Sequence, residues 1–251
     1  MRVYAIGDIH GHLDKLKAVH AFIEQDRRRM KDADAPVVHV GDLVDRGPDS
    51  AGVLGYLAEG VAAGKPWVIL KGNHDRMMRR FLEPERLRDP LRPDLHWLQD
   101  NIGGRSTLAS YGVDTDPARG KEAIHEDSRA AVPETHVALL DGMKTHHRMP
   151  GLYFVHAGVR PGVGFDAQVE DDLVWIREPF LSDTRDHGAL VVHGHSPVAL
   201  ATHYGNRLNI DSAAAYGGPL SAVVIEGKGL AVSLLTETGR RPLVPVRAMV
   251  G

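Results

Sequence analysis

Residues 37–47 read Val-Val-His-Val-Gly-Asp-Leu-Val-Asp-Arg-Gly. A short β-branched run, Val37–Val40, meets a glycine and then two carboxylates and an arginine within six residues. A run of four apolar residues bounded by glycine has strand length. The same grammar recurs along the chain. Val3–Ile6 runs into GDIHG at 7–11, and Trp67–Leu70 into GNHD at 72–75. Leu152–Val155 runs into His156-Ala157-Gly158, and Ala189–Val192 into His193-Gly194-His195. The first three runs lie about 30 residues apart, the spacing of a βαβ unit, with helical patterns between them. Leu13, Leu16, Val19 and Ile23 mark one helix, and Val53, Leu54, Leu57 and Val61 mark the other. Strand, helix, strand at that spacing predicts a crossover and parallel strands. Open α/β sheets bind ligands beyond the carboxyl ends of their strands. Here five such ends each deliver Asp, Asn or His.

Composition narrows the chemistry those residues can do. The chain has 251 residues, 43% of them hydrophobic, enough for a sizeable core. It has no cysteine, which excludes a disulfide framework, an iron–sulfur cluster, a thiolate zinc site and a cysteine nucleophile. With 15 histidines, any metal must be held by His, Asp, Glu, Asn or water. Thirty bases against 33 acids give no global attraction to nucleic acid or to an anionic membrane. No apolar stretch approaches the roughly 20 residues of a membrane helix, and residues 2–7 are too short a run for a secretory segment. The expectation is a cytoplasmic protein with neither a membrane nor a specific nucleic acid as partner.

The joint pattern GDxHG, GDxxDRG, GNH[ED] and two later histidines resembles the metallophosphoesterases, specifically the phosphoprotein phosphatase branch. GDIHG at 7–11, GDLVDRG at 41–47, GNHD at 72–75, His156 in VHAG and His195 in HGHSP carry the likeness. GGRSTLASYG at 103–112, LVWIRE at 173–178 and NIDSAAAYGG at 209–218 extend it over almost the whole chain. One departure is Asp75, where eukaryotic members usually have Glu. The resemblance implies an α/β fold, a βαβ-built sandwich of two mixed sheets flanked by helices in four layers. It implies a single domain over 1–251 with a helical insertion at about 76–150. The apolar runs after about His203 are expected to add antiparallel strands that form the second sheet.

The resemblance also implies a site. Asp8 and His10 should hold one divalent metal ion, Asn73, His156 and His195 a second, and Asp42 should bridge them. Mn²⁺ is the leading candidate, with Fe, Zn, Co or Ni as alternatives. Phosphate would be removed from phosphoserine or phosphothreonine, and from generic phosphomonoesters, by direct attack of a metal-bridging hydroxide. Two cations against Asp8, Asp42 and a hydroxide leave the centre about +1, attractive to a phosphate dianion. His74 should protonate the leaving oxygen, with Asp45 orienting it. Arg46, Arg177 and Arg160 are candidates for phosphate oxygens, since a planar fork suits bidentate contact. Arg177 and Arg160 can equally be surface ion pairs. His193 and Asp75 read as supporting residues rather than ligands, and the other histidines as ordinary surface or core residues. The arginines of the insertion, interleaved with acids, read as a solvated face or as a basic lip for anionic substrates.

Two rival functions stand beside this one. A symmetrical dinucleoside tetraphosphate hydrolase uses the same motifs, so substrates are either a phosphorylated protein or a small phosphoester or nucleotide. A non-catalytic phosphate-binding protein on a decayed fold is disfavoured by the complete ligand set, His74 and Arg46.

Overall fold

The strand Arg2–Ile6 (β1) sends alternate side chains into two different cores, and the architecture follows from that. Val3 and Ala5 face one apolar cluster while Tyr4 and Ile6 face another, the period of two expected of a strand covered on both faces. A computed structural model describes residues 1–246. Its elements run β1, α1 (Leu13–Met30), β2 (Val37–His39), α2 (Ser50–Ala62), β3 (Trp67–Ile69), α3 (Asn73–Phe81), α4 (Gly104–Ser110), α5 (Lys121–Ala131), α6 (Glu134–Gly142), β4 (His146–Met149) and β5 (Leu152–Val155). They continue with α7 (Glu170–Trp175), β6 (Leu190–His193), β7 (Thr202–His203), β8 (Arg207–Asn209), β9 (Ala222–Glu226), β10 (Ala231–Thr236) and β11 (Gly239–Leu243).

Two mixed sheets result. The first has the order β11-β10-β9-β1-β2-β3 and the second β4-β5-β6-β8-β7. As expected from the spacing, β1, β2 and β3 are parallel, with Ala5 opposite Val38 and Val38 opposite Val68. In the second sheet β5, β6 and β8 are parallel. The sheets pack face to face through Val3, Ala5, Val38, Phe154, Val192 and Leu208. Helices α1 to α6 cover the outer face of the first sheet, and Leu173 and Ile176 at α7 cover that of the second. This is the four-layer α/β sandwich the sequence implies.

One expectation is corrected. The C-terminal strands do not build the second sheet: β9 pairs antiparallel with β1, and β10 and β11 extend from it, so all three belong to the first sheet. The free edge of β1 accepts β9 in register from Arg2–Glu226 to Ile6–Ala222, burying Ala222 to Ile225 completely or nearly so. The second sheet is instead supplied by β4 to β8. Helix α1 also runs seven residues past Ile23, ending where Lys31 turns left-handed and returns its N–H to the last carbonyls. Residues 76–150, the expected insertion, hold the rest of α3 with α4, α5 and α6, and their final residues, His146–Met149, already belong to the second sheet as β4.

Candidate metal centre and active site

The ends of β1, β2 and β6 turn sharply where they present their polar residues. His10, Asp42, Asp45, Arg46 and His195 all have positive φ, between 45° and 75°. Such conformations cost a non-glycine residue on the order of 1–3 kcal/mol and persist where the surroundings enforce them. The turns pack closely: a Cβ on Gly72 would lie 2.1 Å from Asp42 Oδ1, so only glycine lets the third loop reach the second. In this way β1, β2 and β3 from one sheet and β5 and β6 from the other deliver Asp8, His10, Asp42, Asn73, His74, His156 and His195 to one end of the sandwich. All seven are buried.

Asp42 is the hub. Its Oδ1 lies 3.3 Å from His156 Nε2, and its Oδ2 lies 3.5 Å from His10 Nε2 and 4.0 Å from His74 Nε2. Two groups of donor atoms, His10–Asp42–His74 and Asp42–His156–His195, are each close enough for one cation and share Asp42. The ring orientations leave lone pairs aimed inward. His10 Nδ1 donates to the Val44 carbonyl at 2.8 Å and His156 Nδ1 to the Val40 carbonyl at 3.0 Å, so each Nε2 is left as an acceptor, that of His10 with Arg46 Nη1 3.1 Å away. His156 Nε2 faces Asn73 Oδ1 at 3.1 Å, so acceptor meets acceptor. His195 Nε2 and Asp8 Oδ1 are buried with no hydrogen-bond partner, although Asp8 Oδ2 accepts from the His195 backbone N–H at 2.9 Å. Converging acceptors at Asp8, Asp42, Asn73, His156 and His195, with Arg46 the donor that reaches His10 Nε2, fit divalent cations, and the mixed Asp, Asn and His set suits borderline first-row metals.

Electrostatics point the same way. Burial lowers the pKa of His10 to about 3 and that of His195 well below its usual value, and lowers His156 too, so all three stay neutral with lone pairs available. Burial opposes charge on Asp42, but the surrounding His156, His74, His10 and His195 hold its pKa low. Burial, Asp211 and Asp42 push Asp8 well up, the repulsion expected where carboxylates crowd with no cation between them. His74 behaves oppositely to its neighbours. Burial works against its charge, yet Asp42 and Asp45 raise its pKa. Its Nδ1 donates to Asp45 Oδ2 at 2.6 Å, which leaves Nε2 facing the cavity.

That cavity has a volume of about 370 Å³. Arg46 and Arg177 both line it. Arg46 Nη1 is 3.1 Å from His10 Nε2, and Arg177 Nη2 donates to the His195 carbonyl at 3.3 Å. Arg160 does not line it. Its exposed guanidinium forks onto Asp172 through Nε at 2.7 Å and through Nη2. Arg160 is thus engaged in an exposed ion pair outside the cavity lining, against its candidacy for phosphate. His193 packs on Phe180, and its Nε2 meets Arg207, away from the donor cluster. Asp75 accepts from the backbone N–H groups of Asp42, Leu43 and Gly72 at 2.8–2.9 Å and so braces the second and third loops. The insertion's arginines are mostly neutralised by its own acids: Arg76 with Asp89, Arg79 with Asp141, Arg86 with Glu122. Only Arg92 among them reaches the cavity.

Among the wall residues that escaped the sequence reading, three carry charge or an aromatic face. Asp211, with its pKa pushed up to about 6 by burial and Asp42, Trp175, and Tyr216, 64% exposed, all line the cavity. Their signal was present in NIDSAAAYGG and LVWIRE, which matched as stretches without singling out these positions. Arg46 lies over the Tyr216 ring at 5.2 Å and Arg92 over the Trp175 ring at 5.7 Å.

Comparison with known proteins agrees with this geometry. The profile of the family described as calcineurin-like phosphoesterase matches residues 1–225. A bis(5'-nucleosyl)-tetraphosphatase PrpE [asymmetrical] from Anoxybacillus flavithermus is 26% identical over 244 residues, covering 87% of this chain and 88% of its own. A solved structure of a candidate diadenosine tetraphosphatase superposes with a TM-score of 0.60 at 22% identity, covering 97% of this chain and 94% of that one. The cold-active protein-tyrosine phosphatase of a psychrophilic Shewanella species gives 0.57 at 16% identity, covering 97% and 80%. Both structural likenesses concern the fold. The relative is named asymmetrical, whereas the sequence had suggested a symmetrical tetraphosphatase as the rival. Among the described residues no helix is long and apolar enough to cross a membrane. With its residues 1–225 matched by the family profile and seven buried donors gathered at the strand ends, the chain belongs to the calcineurin-like phosphoesterases and is a phosphoester hydrolase.

Proposed function

We propose that the protein is a cytoplasmic, divalent-metal-dependent phosphohydrolase in which His74 supplies the leaving-group proton. The observation that carries this is the His74–Asp45 pair at 2.6 Å, with Nε2 open to a cavity that also contains two arginines and the convergent acceptors. Asp8 and His10 would hold one cation, Asn73, His156 and His195 another, and Asp42 both. When bound, a pair of such cations supplies Lewis-acid polarisation of the phosphoryl group and an activated water. Mn²⁺ is our first candidate, ahead of Fe, Zn, Co or Ni. Arg46 and Arg177 hold phosphoryl oxygens in place and offset their charge. His74, whose charged form Asp42 and Asp45 favour against burial, gives its Nε2 proton to the departing oxygen as the P–O bond breaks, while Asp45 keeps the ring aimed. Protein stripped of metal should lose hydrolysis of p-nitrophenyl phosphate and recover it with Mn²⁺; activity untouched by thorough chelation refutes the reading.

For the substrate, phosphoserine and phosphothreonine in proteins are the first reading, as the sequence motifs suggest. The second is a dinucleoside tetraphosphate, favoured by the printed name of the Anoxybacillus relative and by the Trp175 and Tyr216 rings, which offer faces to a base beside the arginines. A side-by-side comparison of kcat/KM for a phosphopeptide and diadenosine tetraphosphate, with the metal matched, decides between them. A hundredfold preference for either is the expected form of the answer, and comparable values would mean that the rim does not select.

A further inference from the structure

The stretch GGRSTLASYG is absorbed neither by the donor cluster nor by the cavity wall, yet it touches the proposed proton donor through one intermediate. Asp45 is completely buried, and the insertion supplies two of its three side-chain hydrogen-bond donors. Trp97 Nε1 donates to Asp45 Oδ2 at 2.9 Å and Oδ1 at 3.1 Å, and Thr107 Oγ1 donates to Oδ1 at 2.8 Å. The third donor is His74. Thr107 Oγ1 also accepts the Asp45 backbone N–H at 2.9 Å, so this one hydroxyl grips both the backbone and the carboxylate of the residue. Its single hydrogen is spent on Asp45, so Ser50 Oγ, 3.0 Å away, must donate to Thr107. The two glycines opening α4 allow the approach. A Cβ on Gly103, which has φ of 97°, would lie 2.5 Å from Arg46 N, and one on Gly104 would lie 2.5 Å from the Trp97 carbonyl. Trp97 is braced in turn by Phe81, with ring centroids 4.9 Å apart.

We propose that Trp97 and Thr107 are positioning residues for the phosphoryl-transfer step: they clamp the Asp45 carboxylate so that His74 Nε2 is aimed at the leaving oxygen. The inference rests on the reading of His74 as proton donor. A carboxylate has several acceptor sites and can swing about its Cβ–Cγ bond. With both oxygens taken by donors from a different part of the chain, its plane is fixed, and with it the direction of the His74 ring. The insertion is thereby part of the catalytic apparatus as well as a rim.

Leaving-group dependence tests this. The Mn²⁺-loaded protein is assayed on 2,4-dinitrophenyl phosphate, whose leaving group departs without a proton, and on phenyl phosphate, whose leaving group needs one. Trp97→Phe keeps the ring without its N–H, Thr107→Val keeps the shape without its hydroxyl, and Thr107→Ser restores the hydroxyl. Trp97→Phe and Thr107→Val should each lower kcat on phenyl phosphate roughly tenfold, part of the full general-acid contribution. KM should hold, dinitrophenyl phosphate should change little, and Thr107→Ser should act like the parent. Equal losses on both substrates would mark a merely structural role and overturn the inference, as would no loss on either. His74→Asn is the control. If it separates the two substrates and the Trp97 and Thr107 variants do not, the clamp alone falls. If His74→Asn fails to separate them, the proton-donor reading falls and takes the clamp with it.

Discussion

Two groups of buried histidines lie on either side of one strand, β2, which with the turn after it contributes a residue to each. His39 is the last residue of β2, and Asp42 follows three residues later. His39 points among the helices, where its Nε2 is 2.9 Å from His20 Nε2, and His20 Nδ1 is 2.9 Å from the Tyr56 hydroxyl. The Trp67 ring closes the group, 4.6 Å from the His20 ring. At the strand ends, His10, His74, His156 and His195 surround Asp42 instead. Burial lowers pKa values in both places, to about 4 for His20 and about 3 for His10. Neutral, buried imidazole is therefore no mark of a site. The differences lie in the partners and the backbone. His20 and His39 bond to each other and to a phenol, and neither has positive φ. His10, His156 and His195 turn their lone pairs toward carboxylate and amide oxygens, and His10 and His195 do so from strained left-handed backbone.

Substitutions should separate the two groups in order of effect. Asp42→Asn should cost most, because it removes the shared carboxylate: occupancy of both metals should drop, and kcat should fall by about 10³-fold or more. Retention of both metals, measured by elemental analysis, would break the claim that Asp42 is the hub. His74→Asn should lower kcat by about 10²–10⁴-fold with metal content retained. If metal is lost instead, His74 belongs with the ligands, as its proximity to His10 and Asp42 allows.

The helix-side pair should speak through stability and not through activity. His20 is held neutral in the fold, with a pKa lowered from 6.5 to about 4 by burial and nearby cations. Between those values the unfolded chain binds a proton that the folded chain does not, so stability is intact above about pH 6.5 and falls as the pH drops toward 4. In metal-free protein, His20→Gln should therefore lose less stability than the parent between pH 7 and pH 4.5, by on the order of 2 kcal/mol. Equal losses of unfolding free energy for His20→Gln and the parent between the two pH values, measured by urea unfolding, would erase the contrast. The smallest effect is expected at Arg160→Ala, which should leave kcat/KM within about twofold, as exposed ion-pair substitutions usually do. A large loss there would return Arg160 to the phosphate site.

Much of the site was legible because each motif is local. Gly-Asp, Gly-Asn and His-Gly-His at strand ends declare both the turn and the ligand within three residues. Their joint recurrence carries the inference that no single dipeptide could. The parallel β1-β2-β3 arrangement was legible for the same reason, since helix and strand periods alternate at fixed spacing. What lay beyond reach depends on separation in the chain. Trp97 and Thr107 meet Asp45 across 52 and 62 residues, through an irregular stretch that has no period to read. The placement of β9 beside β1 pairs Ala222 with Ile6 across more than 200 residues, and a short continuous apolar run fits either sheet equally well. Arg160 and Arg177 look alike in sequence; the presence of Asp172 in front of one and the cavity in front of the other separates them.

The sequence by itself determined the family, the identity of the candidate donors and the strand-end geometry, because side-chain chemistry and turn formation are decided by near neighbours. Only the tertiary structure decided which histidines converge on a carboxylate and which merely pack, which arginine is spent in an ion pair, and that the insertion reaches back to grip Asp45. Those outcomes are set by distances between groups far apart in the chain, and only packing of the two sheets and their helices brings such groups within hydrogen-bond range.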